Sequence, residues 1–261
     1  MSEDVWKVRR HDPASRVQEP ARRALARGLR AAIGTGRAWE DLGPVEADLL
    51  DALARQHRVG PLLHAATSPG MPLPERVRSR LRASYLGTLR KNSVALALGR
   101  ELLDGFARAD VMAAPLKGWA LIEGPHAVYP DPGLRPMDDL DVMVSREDVA
   151  AARHVLEGQG FRLVSGAPEA RLVGGHELAF HRPVAGVHVF VELHWAWAGR
   201  ESLLRSLALP GTAFLQLLET ADRVDAAATT ARARAAHALF VAVHAARHAF
   251  SRWIWLVDLH R

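Results

Sequence analysis

Two short runs in this 261-residue chain carry carboxylates at spacings that suit metal chemistry. The first is Asp138-Asp139-Leu140-Asp141-Val142-Met143-Val144. Side chains alternate across an extended strand, so Leu140, Val142 and Val144 share an apolar face and Asp139 and Asp141 share the other, about 7 Å apart. Two carboxylates at that spacing can converge on one hard cation. Mg2+ takes one or two carboxylates together with substrate phosphate oxygens. Asp138 has the opposite parity and is expected to cap or turn the chain. A solvated edge strand would also carry such a pattern, but aspartate is disfavoured in strands, and two on one face need a reason.

The second run is Val187 to Trp195. Val187, Val189, Val191, Leu193 and Trp195 form an apolar face; His188, Phe190, Glu192 and His194 form the opposite one. If this strand pairs beside the aspartate strand, Glu192 becomes a third carboxylate. It could then bind a second metal or accept the proton of an attacking hydroxyl. His194 stands next to it and is grouped with the ligand-binding residues. A half-exposed sheet face with a solvated Glu192 is the competing reading.

Cationic residues accompany both runs. Lys117-Gly118 follows a short apolar stretch and opens a helical one. Glycine permits close backbone approach there, and a helix start presents free N–H groups to an anion. Lys117 would add a point charge for triphosphate, or serve as an ordinary turn lysine. Arg135 precedes the aspartates in a loop stiffened by Pro130, Pro132 and Pro136. It could fork onto phosphate oxygens or pair with Asp131 or Asp138.

The elements that must position these groups fall in three stretches: 1–108 helical, 109–198 mixed, 199–261 helical. The first reads as helices over Ala21–Ile33 and Val45–Arg55, a Pro/Gly-rich break at Ser68–Pro74, and a long helix from Pro74 with Val77, Leu81, Tyr85 and Leu89 every fourth residue. The middle stretch gives a strand at Val111–Leu116, a short helix at Trp119–Ile122, a proline-rich loop and the aspartate strand. A helix at Arg146–Glu157 and strands at Phe161–Val164, Glu177–His181 and Val187–Trp195 follow, the last two joined at Pro183–Gly186. From Glu201 the chain is Ala-rich and helical. It closes on Trp253–Arg261 without a Gly or Pro stop signal, as expected of a chain ending inside an element.

Composition narrows the chemistry. There is no cysteine, which removes disulfides, thiolate metal sites and cysteine nucleophiles. Lys7, Lys91 and Lys117 are the only lysines in a modestly basic, arginine-rich chain. No arginine block is dense enough for a nucleic-acid stripe, which disfavours long nucleic acid as a partner. No apolar run spans a membrane and no secretory signal is evident, so a cytoplasmic location is expected.

Taken in order, Leu116-Lys117-Gly118, Tyr129-Pro130, Arg135, Asp139-Leu140-Asp141, Gly160 and Glu192-Leu193-His194-Trp195 resemble the signatures of a family of largely uncharacterised bacterial nucleotidyltransferases of the DNA-polymerase-beta-like superfamily. The likeness covers Val111–Trp195, and the stretch from His244 to Asp258 is also similar. It implies an α+β fold, a small mixed sheet with helical N- and C-terminal segments. It implies transfer of a nucleoside monophosphate from an NTP to an acceptor, with Mg2+ or Mn2+ held by Asp139, Asp141 and Glu192. Lys117 and Gly118 would face the triphosphate. The acceptor, a small molecule, a peptide or a protein, is not named by the resemblance. The wider superfamily's Gly-Ser phosphate turn is replaced here by Lys117-Gly118, and its third acid is Glu192 rather than Asp.

Two other functions fit the residues. One is a catalytically silent nucleotide- or partner-binding scaffold. The other is a metal-dependent hydrolase using His188, Glu192, His194 and an aspartate, since imidazole suits zinc. His244 and His248 share a helix face, but Ala245 stands where a zincin would carry Glu. They are expected to face the sheet or solvent.

Overall fold

A computed structural model describes residues 13–34, 44–67, 73–124, 127–164, 175–197, 211–219 and 226–261. Part of the break expected at Ser68–Pro74 and the start of the last helical stretch at Glu201 lie outside the described residues. Contacts divide the chain into two compact units, Met1–Leu86 and Gly87–Arg261.

The first unit is helical: α1 (Pro13–Ala32), α2 (Pro44–Gln56), α3 (Gly60–Ala65) and the opening turns of α4 (Glu75–Arg108). Prolines at Pro44 and Pro61 sit in first turns, where the missing N–H has no partner to lose. Leu25, Leu50, Leu62, Leu63, Val77 and Leu81 are almost fully buried in it. Asp51, also buried, is held by Arg55 at 2.6 Å and Arg80 at 3.1 Å.

The second unit carries the sheet. After α4 come β1 (Ala113–Pro115), α5 (Lys117–Glu123), β2 (Leu140–Val144), α6 (Val149–Gly158), β3 (Arg162–Leu163), β4 (Glu177–Val184) and β5 (Val187–His194). Three helices follow: α7 (Gly211–Glu219), α8 (Ala226–Arg247) and α9 (Trp253–His260). The five strands order as β1-β2-β5-β4-β3. β2 runs antiparallel to β1 and parallel to β5; β4 is antiparallel to both β5 and β3. The fold is therefore α+β with a mixed sheet, as the family resemblance implied.

Local chemistry explains the connections. Ala185 and Gly186 both have positive φ (50° and 72°), the backbone of a two-residue hairpin turn matched to strand twist. Gly105 has no side chain because Val155 and Gln159 of α6 occupy that space, 2.8 and 2.5 Å from where a Cβ would stand. Helix α4 thus packs closely on α6, and Gln159 Nε2 donates to the Glu101 carbonyl at 3.0 Å.

The expected apolar face of the aspartate strand is in the core: Leu140, Val142, Val144, Val191 and Leu193 are all fully buried. Each contributes roughly 1.5–3 kcal/mol by leaving water. The opposite face differs from a solvated one. β2 lies between β1 and β5, so it is not an edge strand. Beyond Asp141 its second face is covered too: Met143 packs with Ala114, Leu116, Trp197, Phe214, Leu215, Ala236, Phe240 and Val243. Helices α7 and α8 thus roof the carboxylate side of the sheet.

Candidate functional site

The parallel pairing of β2 and β5 sets Asp141 directly opposite Glu192, and Met143 opposite His194. All four side chains lie on the roofed face. Asp139 precedes β2 by one residue and is half-buried. Its carboxylate is not in the group in which Asp141, Glu192 and His194 bring ligand atoms within 4.8 Å of one another, but it feels the same two acids: burial, then the charges of Asp141 and Glu192, push its carboxyl up to about 7.

A cation already stands among these acids. The Leu116 amide donates to the Asp141 carbonyl at 2.9 Å, which brings the next residue beside β2. Lys117 Nζ then lies 2.5 Å from Asp141 Oδ1 and 3.6 Å from Glu192 Oε2. Burial alone would lower the lysine's pKa, but the attraction of Asp141, Glu192 and Asp139 outweighs it and keeps the ammonium charged. Lys117 holds this position with a left-handed backbone, φ 46°, which a non-glycine residue adopts at a cost of order 1–2 kcal/mol. Its ammonium sits within the carboxylate group.

His194 completes the cluster. Its ring is buried; Nε2–H donates to Asp141 Oδ1 at 2.9 Å and lies 3.4 Å from Glu192 Oε2. Burial opposes its charge, but those two carboxylates override this and raise it to about 9. In return, the contact with His194 is the main cause that drops Glu192 to about 2. Burial would raise Asp141, but Lys117 and His194 hold it below the usual carboxylate range. His194 therefore acts through the carboxylates in this structure.

Arg135 and Gly118 take other places than expected. Arg135 is buried, and its NH2 meets Asp258 Oδ2 of α9 at 2.7 Å. Tyr129 Oη donates to the other oxygen of Asp258, also at 2.7 Å. Asn92 Nδ2 ties down the same loop by donating to the carbonyls of Pro132 (2.6 Å) and Arg135 (2.8 Å). Arg135 pairs with neither Asp131 nor Asp138; its guanidinium clamps the loop before β2 to the last helix. A Cβ at Gly118 would collide with that guanidinium and with Met137. The glycine makes room for Arg135. Asp138 is exposed, with Lys91 Nζ at 3.7 Å and Arg252 NH1 at 3.5 Å.

His188 is not brought to the acids. It stacks on His181, with Nδ1 2.8 Å from His181 Nε2. The hydrolase set of His188, Glu192 and His194 is thus not assembled.

Two acids, Glu177 and Asp258, were not singled out in the sequence, and His244 and His248 were expected only to face the sheet or solvent. Glu177 of β4 pairs in register with His194, and its Oε2 lies 3.4 Å from His194 Nδ1 and 3.1 Å from His176 Nε2. The hairpin turn carried that signal: a two-residue loop at Ala185-Gly186 dictates that paired residue numbers sum to a constant, and Glu177 then falls opposite His194. His244 and His248 of α8 lie with their rings 4.7 Å apart, both against Trp255, His244 half-buried and His248 exposed. Burial and then Lys117 push His244 down to about 3, so it stays neutral. The helical spacing put both on one face, but nothing local said which surface that face would meet. Asp258 is the second acid: a single acid in the apolar run Trp253–Leu259 needs a buried partner.

Ligand atoms suited to a metal converge in two groups among the described residues. In Asp141, Glu192 and His194, and again in His176, Glu177 and His194, one atom from each lies within 4.8 Å of the others. The carboxylate group fits a hard divalent ion: its donors are mostly oxygen, and a protein cation already stands in for one. No curated protein and no solved structure matches the chain. The family model described as an uncharacterised nucleotidyltransferase matches residues 43–261, most of the chain and all of the sheet. With its carboxylates facing one another across β2 and β5 inside that span, the chain belongs to this nucleotidyltransferase family.

Proposed function

We propose that the protein is a divalent-metal-dependent nucleotidyltransferase that moves a nucleoside monophosphate from an NTP to an acceptor, releasing pyrophosphate. The observation that carries this reading is the side-by-side placement of Asp141 and Glu192, with Asp139 coupled to both and a lysine ammonium between them. Acids so close repel one another unless a cation compensates, and metal–triphosphate is the cation-bearing ligand of this family's chemistry.

Asp139, Asp141 and Glu192 would hold Mg2+ or Mn2+. When bound, such an ion neutralises charge on the triphosphate and lowers the pKa of an acceptor hydroxyl. The chain's own residues supply the rest. Lys117, released from the acids, donates to phosphate oxygens. His194 keeps the Asp141 carboxylate oriented through its Nε2–H. Glu192, if not engaged as a ligand, accepts the acceptor's proton. The acceptor oxygen forms its bond to the α-phosphorus as the bond to the bridging oxygen breaks, and the electron pair leaves with pyrophosphate. Positioning and charge neutralisation supply most of the rate in such reactions.

The test is label transfer. The protein is incubated with each α-labelled NTP, Mg2+ or Mn2+, and panels of small-molecule, peptide and protein acceptors. Labelled acceptor with matching pyrophosphate, lost in Asp139→Asn and Asp141→Asn, is expected. Undiminished transfer by Asp141→Asn would refute the assignment. The lysine standing within the acids also favours a second reading, a silent scaffold. NTP binding by calorimetry without turnover on any acceptor would select it.

A further inference from the structure

We propose a second metal site, built from His176, Glu177 and His194 and suited to Zn2+ rather than Mg2+. It lies on the β4–β5 side of His194, away from the Asp141 side, and it does not depend on nucleotidyl transfer.

Geometry comes first. A tetrahedral zinc with bonds of about 2.0–2.1 Å sets its ligand atoms roughly 3.3 Å apart. Glu177 Oε2 is 3.1 Å from His176 Nε2 and 3.4 Å from His194 Nδ1, two such edges as they stand. Ligand atoms from the three residues lie within 4.8 Å of one another. Backbone pairing fixes the positions: Glu177 is in register with His194, and the Trp195 amide donates to the His176 carbonyl at 3.0 Å.

A second observation is the state of His194 Nδ1. The side chain is 3% exposed, and Nδ1 is buried and makes no hydrogen bond. Its one near neighbour is the Glu177 carboxylate of the same donor set, at 3.4 Å without a hydrogen bond, and a metal between them would satisfy both. The other nitrogen is already arranged as zinc ligands require: Nε2–H donates to Asp141, a carboxylate–histidine–metal arrangement that fixes ring and tautomer.

The donor chemistry separates this set from the carboxylates. Two imidazoles and one carboxylate are the ligand class of zinc; oxygen-rich sets select magnesium. Arg247 of α8 approaches the same imidazole, its Nη1 3.1 Å from His176 Nε2. It is exposed and can turn aside. Each donor set thus contains a protein cation, Lys117 in one and Arg247 beside the other. Zinc here would tie β4 to the His194 ring that orients Asp141.

Full-length protein freed of metal by chelation and dialysis is titrated with Co2+, a spectroscopic stand-in for Zn2+, in excess Mg2+. One equivalent with the strong visible absorption of four-coordinate Co2+, displaced by Zn2+, is expected. Affinity should fall at least tenfold in His176→Ala and Glu177→Gln, persist within a few-fold in Glu192→Gln, and tighten in Arg247→Ala. The Arg247 variant keeps all ligands and folds irrespective of the others. Absence of the absorption overturns the site. So does Co2+ binding that survives His176→Ala but is lost in Glu192→Gln, which would put the ion among Asp141, Glu192 and His194.

Discussion

The Arg135–Asp258 clamp gives a prediction whose size can be worked out. Both residues are 7% exposed, and the pair is joined at 2.7 Å, with Tyr129 Oη on the second carboxylate oxygen at 2.7 Å. Asp258→Asn keeps an acceptor for Tyr129 but leaves a buried guanidinium without its counter-charge. Removing one partner of a buried pair costs about 3–5 kcal/mol, whereas losing one neutral hydrogen bond costs about 1 kcal/mol. For a protein of this size the urea slope is about 2–3 kcal/mol per molar. The midpoint should therefore fall by roughly 1–2 M in Asp258→Asn, against less than about 0.5 M in Tyr129→Phe. Trp253 and Trp255 stand on the same helix as Asp258 and report its unfolding by fluorescence. Arg135→Met alone should cost about as much as Asp258→Asn. Combined with Asp258→Leu it should cost far less than the sum, since an apolar pair buries no charge. Additive losses in the double variant would refute the clamp and reduce both residues to independent packing.

Asp139→Asn removes a carboxyl whose folded pKa, about 7, lies above its unfolded value; burial and the neighbouring acids make its ionisation costly. Its stability contribution is present at low pH and is lost as pH rises through 7, so the asparagine variant should melt higher than wild type at pH 8 without metal while losing transfer; a lower Tm would contradict the electrostatics. His194, raised to about 9 against burial by Asp141 and Glu192, stabilises the metal-free protein fully below about pH 6.5 and loses this as pH rises through 9. Melting curves across that window should fall for wild type and flatten for His194→Gln. Lys117→Met removes the ammonium from the acids and should tighten Mn2+ binding in the absence of nucleotide by at least about tenfold, equivalent to about 1.4 kcal/mol, by electron paramagnetic resonance; weaker binding would mean the lysine organises the acids rather than competing for them.

What could be read from sequence divides by the range of the interaction. Period-two alternation located β2 and β5, because one face of each is wholly apolar and must be buried. The hairpin from β4 to β5 was visible in the Pro183–Gly186 punctuation, and its register follows from the turn. Parallel pairing is another matter. No local signal fixes the offset that puts Asp141 against Glu192; a slip of one residue would send Glu192 to the opposite face. That register rests on burying Leu140, Val142, Val191 and Leu193 together, a property of the assembled core.

The same reasoning explains why the protein partners of Arg135 and Lys117 are not legible in the sequence. Each was weighed against anions near it in the chain or in a ligand, whereas its partner is distant in sequence. Arg135 meets an acid 123 residues away, and Lys117 reaches Glu192 through the β1–β2–β5 pairing. A cation free to choose will sit where burial has concentrated negative charge, and burial is decided by the roof of α7 and α8. The acids then determine where the lysine goes in the absence of metal, and any metal that binds must displace it. In the proposed reaction, triphosphate would supply a compensating anion for the displaced ammonium. Metal and nucleotide should accordingly bind with positive coupling, each tightening the other by the same factor. Calorimetric titration of NTP with and without Mn2+, repeated in Lys117→Met, tests this. The coupling should shrink in the variant, and coupling of undiminished size would show that the lysine takes no part in exchanging one partner for the other.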